Sequence, residues 1–145
     1  MSRSTSGVPA PNDPQPAVGL CASVELLVTE ADTALAFHSG DVPVLGTPRL
    51  VALCEEASCK ALADHLAEGR TSVASRVQFD HLAPVGVGSV VRAEGTLERV
   101  EGRRLIFTIT ASRPDGGGLV GAGRLTRVLV DRSTFLNKLA PRAQS

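Results

Sequence analysis

Two adjacent glutamates, Glu55 and Glu56, are the first residues of this sequence whose positions indicate chemistry. At about 100° per residue along a predicted helix, Glu56 falls among charged residues and can pair with Lys60 as surface residues commonly do. Glu55 falls in the apolar arc of the same helix. A carboxylate in an apolar setting is costly unless it is hydrogen-bonded or used, and burial brings carboxylates towards the proton affinity that a general base needs. Glu55 is therefore a candidate general base. The competing interpretation places it at the edge of the arc, with its carboxylate in water.

The helical projection divides this helix into two arcs. The wet arc gathers Arg49, Glu56, Lys60 and Asp64, and Leu53 also falls within it. The apolar arc, which we expect to face a sheet, contains Leu50, Val51, Cys54, Cys59, Ala61, Leu62 and Leu66.

A histidine at the end of the next predicted strand offers a partner for Glu55. Strict alternation along residues 73–81 puts Val73, Ser75, Val77, Phe79 and His81 on one face. Because Phe79 marks that face as the core face, His81 is expected to point towards the helix. A lone histidine there is more often structural than catalytic, but a glutamate and a histidine aimed at one layer form a candidate acid–base site.

The start of the helix supplies a third candidate. Thr47 suits the N-cap, and Pro48 suits the first helical position, where a missing N–H costs nothing. The Thr47 hydroxyl then either binds a free backbone N–H or takes part in a site. A helix N-terminus also offers free N–H groups and a partial positive charge, which suit a developing oxyanion.

The surrounding pattern predicts one α+β domain. We expect a strand, a long helix and then four strands in an antiparallel meander, with a short helix at the end. The expected ranges are 20–29 for the first strand, 47–66 for the helix, 71–81, 89–99, 103–112 and 119–131 for the four later strands, and 132–139 for the last helix. Residues 1–18, which are rich in proline and poor in apolar residues, are expected to form a disordered leader ahead of a single domain at 19–145.

Composition excludes several classes of function. The 145 residues have a formal net charge of zero, no Trp and no Tyr, so neither a basic nucleic-acid surface nor a base-stacking platform is expected. No apolar run approaches the length of a membrane span, and residues 1–18 lack the apolar core of a signal peptide. The three cysteines have no metal-ligand spacing, and no metal site is expected. Together these features predict a cytoplasmic protein with reduced thiols.

Taken in order, Thr47, Glu55 and His81 resemble the hotdog-fold acyl-CoA thioesterases, most closely the fluoroacetyl-CoA thioesterase-like branch. That branch has a threonine, a glutamate eight residues later on the central helix, and a histidine at the end of the next strand. The motifs here are Gly46-Thr47-Pro48, Cys54-Glu55-Glu56 and Asp80-His81-Leu82-Ala83-Pro84. The last predicted strand, with Gly121-Ala122-Gly123 and Arg127, is also similar to the family.

The resemblance implies hydrolysis of an acyl-CoA thioester in a hotdog fold, with no metal or organic cofactor. Glu55 would act as general base or nucleophile, His81 would polarise the thioester or protonate its sulfur, and Thr47 would orient the reactants. N–H groups around Gly46 would stabilise the oxyanion. Arg127 would either meet a CoA phosphate or remain a solvated strand residue. The family builds its sites at a homodimer interface, so a homodimer, or a tetramer formed by two such dimers, is implied.

Two other functions remain open at this stage. The chain could be a non-catalytic acyl-CoA binder that keeps the fold, because fold does not determine chemistry. It could also be an acyl-CoA hydratase or dehydratase, although these typically place an acid and a histidine in one short segment. The only histidine on the predicted helix, His65, is ten residues from Glu55. The link before the helix, residues 37–41, has one aromatic residue where the fluoroacetyl-specific pattern has more, so fluoroacetyl-CoA itself is not the expected substrate.

Overall fold

The computed structural model describes residues 15–141 and contains five strands and two helices in that range. A single 3-10 turn at Glu30–Asp32 lies in the link before the first helix. The elements in chain order are β1 (Cys21–Leu27), α1 (Thr47–Leu62), β2 (Arg70–His81), β3 (Val90–Glu101), β4 (Arg104–Arg113), β5 (Gly118–Asp131) and α2 (Arg132–Leu139). The α+β fold class predicted from the sequence is confirmed.

The five strands form one antiparallel sheet in the order β1-β3-β4-β5-β2. The meander β3-β4-β5 builds the centre, and β1 and β2 form the two edges. Because α1 lies between β1 and β2 in the chain, the connection through α1 crosses the sheet from one edge to the other. The N-terminus of α1 is thereby brought close to the end of β2.

The helix packs over β3 through a close approach at Gly95. A Cβ added there would lie 3.4 Å from the Ser58 nitrogen and 3.2 Å from Ile109 Cδ1, so glycine lets the helix backbone descend onto the sheet. The helix buries Leu50, Leu53, Cys54, Ala57, Ser58, Ala61 and Leu62.

Because of this contact, α1 is rotated about its own axis relative to the orientation that the sequence predicted. Leu53, which the projection assigned to the wet arc, is 1 % exposed, and Cys59, assigned to the apolar arc, is exposed. The prediction was wrong at these two positions because Gly95 draws Ala57 and Ser58 towards the sheet, which an arc defined by residue polarity alone does not anticipate. Glu55 therefore lies at the margin of the buried face and is half-buried, whereas Glu56 is exposed.

The two ends of α1 also differ from the predicted ends. The N-cap is Gly46, not Thr47, since the Leu50 N–H donates to the Gly46 carbonyl and Gly46 has an extended backbone. The helix ends at Leu62 rather than near residue 66. Gly69, with φ of +83°, serves the turn into β2 instead of the helix terminus.

A β-bulge in β2 breaks the predicted alternation. The register against β5 shifts between Ala74 and Arg76, which leaves Ser75 as the extra residue. Side chains change face at a bulge, so Val73 does not share a face with Phe79 and His81, contrary to the prediction. The part that matters for chemistry is kept, since Phe79 packs against the core and His81 reaches α1.

The predicted leader falls largely outside the described residues. Residues 1–14 are among those not described, and within 15–18 the side chain of Pro16 is buried. The Gly19 N–H donates to the Leu97 carbonyl at 2.9 Å. No helix between residues 15 and 141 has the length and apolar character needed to span a membrane.

Candidate active site

The segment before α1 is held tightly against the first turn of the helix. The Gly46 N–H donates to the Asp32 carbonyl at 2.9 Å. A Cβ on Gly46 would lie 3.2 Å from the Ala34 backbone nitrogen, so this position favours glycine. Because its N–H is already bonded, Gly46 offers no donor to an oxyanion. The N–H groups of Thr47 and Arg49 have no acceptor within the helix, while Pro48 has no N–H at all.

Asp32 connects this segment to the helix through its side chain as well. It is 8 % exposed, and its Oδ1 accepts from Arg49 Nε at 3.0 Å. Its Oδ2 accepts from the backbone N–H and the hydroxyl of Thr29, at 2.8 and 3.0 Å. Burial by itself would raise the pKa of Asp32, but the hydrogen bonds from Thr29 and the charge and hydrogen bond of Arg49 lower it below 3.8. The carboxylate is therefore ionised at neutral pH. Sequence reasoning missed this pair because the two residues are distant in the chain and Arg49 projects onto the wet arc.

Thr47 and His81 meet across the gap between α1 and the end of β2. Thr47 Oγ1 lies 2.8 Å from His81 Nδ1, and the two residues are 34 positions apart in the chain. The other ring nitrogen, Nε2, is buried and has no hydrogen-bond partner among the described residues. The contact places two of the three predicted site residues side by side, and their membership of one active site stays a prediction.

Glu55 lies two turns further along α1, on the same side of the helix. Cys59 follows Glu55 by one helical turn on the same stripe of α1, and it lines a cavity together with Ser72 of β2. Lys60, on the opposite side of the helix, donates to the Ser23 carbonyl of β1. The Glu55 stripe is therefore on the β2 side. At 1.5 Å per residue its Cα is about 12 Å along the axis from that of Thr47. Among residues 15–141, the Glu55 carboxylate makes no hydrogen bond or ion pair. The structure thus brings together Thr47 and His81 and leaves Glu55 as a separate, uncommitted acid.

The charge on Glu55 affects its neighbour. Burial, with a further contribution from the Glu55 carboxylate, raises the pKa of the Cys54 thiol to about 12. Cys54 therefore stays protonated, and it is not a candidate nucleophile.

Arg127 is buried rather than solvated. It is 6 % exposed, and its Nε and one terminal nitrogen donate to the Ser72 hydroxyl and carbonyl at 2.8 and 3.0 Å. The other terminal nitrogen lies 3.5 Å from the Ser58 hydroxyl on α1. The alternative of a solvated strand arginine was wrong, because the side chain is held between Ser72 of β2 and Ser58 of α1. All of its hydrogen-bond partners among the described residues are neutral.

A cavity of about 380 Å³ opens one helical turn beyond Glu55. Its walls come from the end of α1, the turn into β2 and the first residue of α2, and they include Cys59, Leu62, Leu66, Ser72 and Arg132. Within residues 15–141, no three His, Cys, Asp or Glu side chains are grouped closely enough to hold a metal ion.

A long helix packed on a five-stranded antiparallel sheet is the architecture of a hotdog fold. Residues 28–133 match the model of the family described as FlK, fluoroacetyl-CoA-specific thioesterase. The chain belongs to this family, and the resemblance found in the sequence is confirmed.

Individual relatives agree with this assignment. The fluoroacetyl-CoA thioesterase of Streptantibioticus cattleyicolor is 31 % identical over 96 residues, which cover 66 % of this chain and 68 % of the relative. A solved mutant of the fluoroacetyl-CoA thioesterase in complex with acetyl-CoA superposes with a TM-score of 0.78 at 26 % identity, over 85 % of this chain and 96 % of the other. A thioesterase superfamily member from Thermus thermophilus superposes with a TM-score of 0.77 at 28 % identity, over 86 % and 90 % of the two chains.

Proposed function

We propose that this thioesterase hydrolyses an acyl-CoA thioester to the free acid and coenzyme A, with Thr47, Glu55 and His81 as its active centre. The single observation that carries the proposal is the 2.8 Å contact between Thr47 Oγ1 and His81 Nδ1, which leaves Nε2 buried and without a hydrogen-bond partner in the described part of the chain. A polar atom that is buried without a partner is costly, and a substrate atom would supply the missing hydrogen bond.

The residues divide the reaction between an acid and a base. In the general-base route, Glu55 takes a proton from water, the water oxygen attacks the thioester carbonyl, and the C–S bond of the tetrahedral intermediate breaks. In the nucleophilic route, Glu55 attacks first and water releases the acid from the anhydride. In both routes the sulfur leaves as a thiolate that needs a proton. When Thr47 donates to His81 Nδ1, the ring proton lies on Nε2, from which it can reach that sulfur.

Stabilisation of the oxyanion is assigned to the first turn of α1. The N–H groups of Thr47 and Arg49 lack helical acceptors and add to the partial positive charge of the helix N-terminus. Gly46 is buried and its own N–H is bonded to Asp32, so we propose that it supports substrate binding indirectly, by fixing the N-cap next to Thr47.

Arg127 is proposed as a second substrate-binding residue. Its buried guanidinium has only neutral partners among residues 15–141, so an oxygen of the substrate would add a favourable contact. Its burial favours a contact with the acyl part over a contact with a CoA phosphate at the surface. The cavity beyond Glu55 gives room for an acyl group larger than acetyl, and this supports a substrate other than fluoroacetyl-CoA.

We further propose a homodimer, alone or as half of a tetramer, in which a second copy covers β2. This strand of 12 residues is a sheet edge with exposed Val77, and such edges are normally paired or covered. His81 is on the same strand, so a partner chain there would close the site from water. Light scattering at micromolar concentration should give at least twice 15.0 kDa. A stable monomer would contradict this part of the proposal.

Three further proposals concern the cofactors, the cellular compartment and the domain boundaries. Hydrolysis is redox-neutral and uses water as co-substrate, so we propose that no cofactor is needed and that coenzyme A enters only as part of the substrate. The cysteines Cys21, Cys54 and Cys59 are all free, which supports a reducing, cytoplasmic setting. We also propose that residues 1–18 act as a leader without a catalytic role, and that 19–145 form the single catalytic domain.

The test compares two neighbouring glutamates. Glu55→Gln keeps shape and hydrogen bonding but removes the base, so steady-state hydrolysis across acyl-CoAs from acetyl to long-chain and aryl should fall roughly 10²–10⁴-fold. Glu56→Gln is the matched control, since Glu56 is exposed, and it should change little. Binding of acyl-CoA, followed by calorimetry, should survive both substitutions. Equal hydrolysis rates for the two variants would contradict a catalytic Glu55. Binding without hydrolysis by the wild type would favour a non-catalytic acyl-CoA binder, and a hydratase would add water to an enoyl-CoA without releasing free thiol.

A further inference from the structure

The first turn of α1 is held from two sides of Thr47, and both contacts come from Asp32. The Asp32 carbonyl accepts from the Gly46 N–H at 2.9 Å, just before Thr47. The Asp32 carboxylate accepts from Arg49 Nε at 3.0 Å, just after it. Asp32, in the segment before α1, is therefore bonded to the helix on both sides of Thr47, the proposed catalytic threonine.

Asp32 is itself held in place by neighbouring residues. Asp32 is 8 % exposed, and Thr29 donates to its second carboxylate oxygen through both its backbone N–H and its hydroxyl. Thr33, which is 4 % exposed, binds the Glu30 carbonyl through its hydroxyl and so fixes the same 3-10 turn. Both carboxylate oxygens thus accept hydrogen bonds from within the protein, and we assign Asp32 no role as an acid or base.

The segment just before Gly46 is also hydrogen-bonded to the loop that follows His81. The Leu45 N–H donates to the Val85 carbonyl at 2.8 Å, next to a bridge between Val44 and Gly86. The two residues of the Thr47–His81 contact are thus each flanked by backbone that is held in place. A shift of the helix start would lengthen that contact directly, because His81 is the only hydrogen-bond partner of the Thr47 hydroxyl among residues 15–141.

We propose that Asp32 and Arg49 are positioning residues of the active centre, which hold Thr47 in hydrogen-bond contact with His81. This inference rests on the proposed function for its effect on rate, and it makes a separate prediction about the contact itself. Misplacement of a catalytic group by about 1 Å costs up to 10²-fold in rate. The pair is expected to act on kcat rather than on KM, since the two side chains bond each other and no substrate-binding role is assigned to them.

The kinetic test uses Asp32→Asn and Arg49→Met, assayed well below their melting temperatures, which are measured in parallel. Each should lower kcat by up to about tenfold, the loss expected for removal of the Thr47 hydroxyl itself, with KM nearly unchanged. Arg49→Lys keeps one cationic donor for the single contact and should restore kcat to within about threefold of wild type. Glu30→Gln, in the same 3-10 turn but exposed and without an ion pair to the helix, is the control and should not change kcat.

Coupling to Thr47 separates positioning from a structural role. In a Thr47→Val background, which lacks the hydroxyl, Asp32→Asn should have little further effect on kcat, because the contact it protects is already absent. Additive losses in the double variant would overturn the inference.

A readout without turnover keeps the result independent of the proposed function. The ¹⁵N chemical shift of His81 Nδ1, which reports its hydrogen bond, should move in Asp32→Asn towards its value in Thr47→Val, and it should not move in Glu30→Gln. An unchanged shift in Asp32→Asn would overturn the inference even if the enzyme is active. A changed shift in a protein that hydrolyses no acyl-CoA would support positioning and contradict the proposed function alone.

Discussion

The two sides of α1 are built differently. Its side over β1 and β3, which we name the closed side, buries Leu53 and Ala57 against a sheet whose Gly95 lets the helix approach. Its side over β2, which we name the open side, contains Glu55 and Cys59 beside a cavity and an edge strand with many exposed residues. The closed side is apolar and continuous with the core, and the open side is polar and incompletely covered.

This difference separates stability from chemistry on one helix. Leucine and alanine on the closed side hold the helix to the sheet, so the open side can keep the Glu55 carboxylate, which has no hydrogen-bond partner within the described ranges. Thr47, at the open side of the first turn, uses its hydroxyl for His81. The hydrogen bonds of the Asp32 carboxylate to Thr29 and Arg49 hold the first turn of α1, where the open side begins. Each of the following experiments compares one residue of the closed side with one of the open side, or tests the boundary between them.

The largest difference is expected between two thiols. Burial and the adjacent Glu55 charge raise the pKa of Cys54 to about 12, so at pH 8 only about 10⁻⁴ of this thiol is ionised. Cys54 belongs to the closed side and Cys59 to the open side, where it is exposed. A disulfide reagent should therefore label Cys59 more than a thousandfold faster than Cys54 in the native protein, as measured by peptide mass mapping. Urea should abolish the difference, and fast labelling of native Cys54 would disprove a closed side.

Stability should follow the same division. Leu53→Ala removes a fully buried side chain and should lower the free energy of unfolding by about 2–5 kcal/mol in urea titrations. Val51→Ala, on the half-buried open side, should cost about 1 kcal/mol. Equal losses would mean that the helix sits in the orientation its polarity alone suggests, with Leu53 turned outwards.

The smallest effect concerns the first turn. Thr47→Val keeps the shape of the side chain but removes the hydroxyl that contacts His81, so kcat should fall about tenfold, as expected for loss of one hydrogen bond. Thr47→Ser keeps the hydroxyl and should stay close to wild type. If valine and serine behave alike in steady-state hydrolysis, the hydroxyl has no part in the reaction and the site depends on Glu55 and His81 alone.

Local patterns accounted for most of the fold. The strands predicted at 71–81, 103–112 and 119–131 and the helix at 132–139 lie within one residue of β2, β4, β5 and α2. They were predictable because alternation, turn residues and apolar content act over a few neighbouring positions. The end of α1 was not, since Leu62 is followed by a turn that depends on how the chain enters β2.

The amino-acid sequence by itself determined which residues could do chemistry: a threonine at a helix start, a glutamate eight residues on and a histidine at the end of a strand. These follow from residue types and short spacings, which need no knowledge of packing. Tertiary structure alone decided three other features. The close approach at Gly95 set the rotation of α1 and placed Glu55 at the margin of the buried helix face. The bulge at Ser75 decided which residues of β2 share a face with His81. The fold also brought Asp32 into contact with Arg49. Each depends on contacts between segments that are distant in the chain, and such contacts leave no periodic trace in either segment.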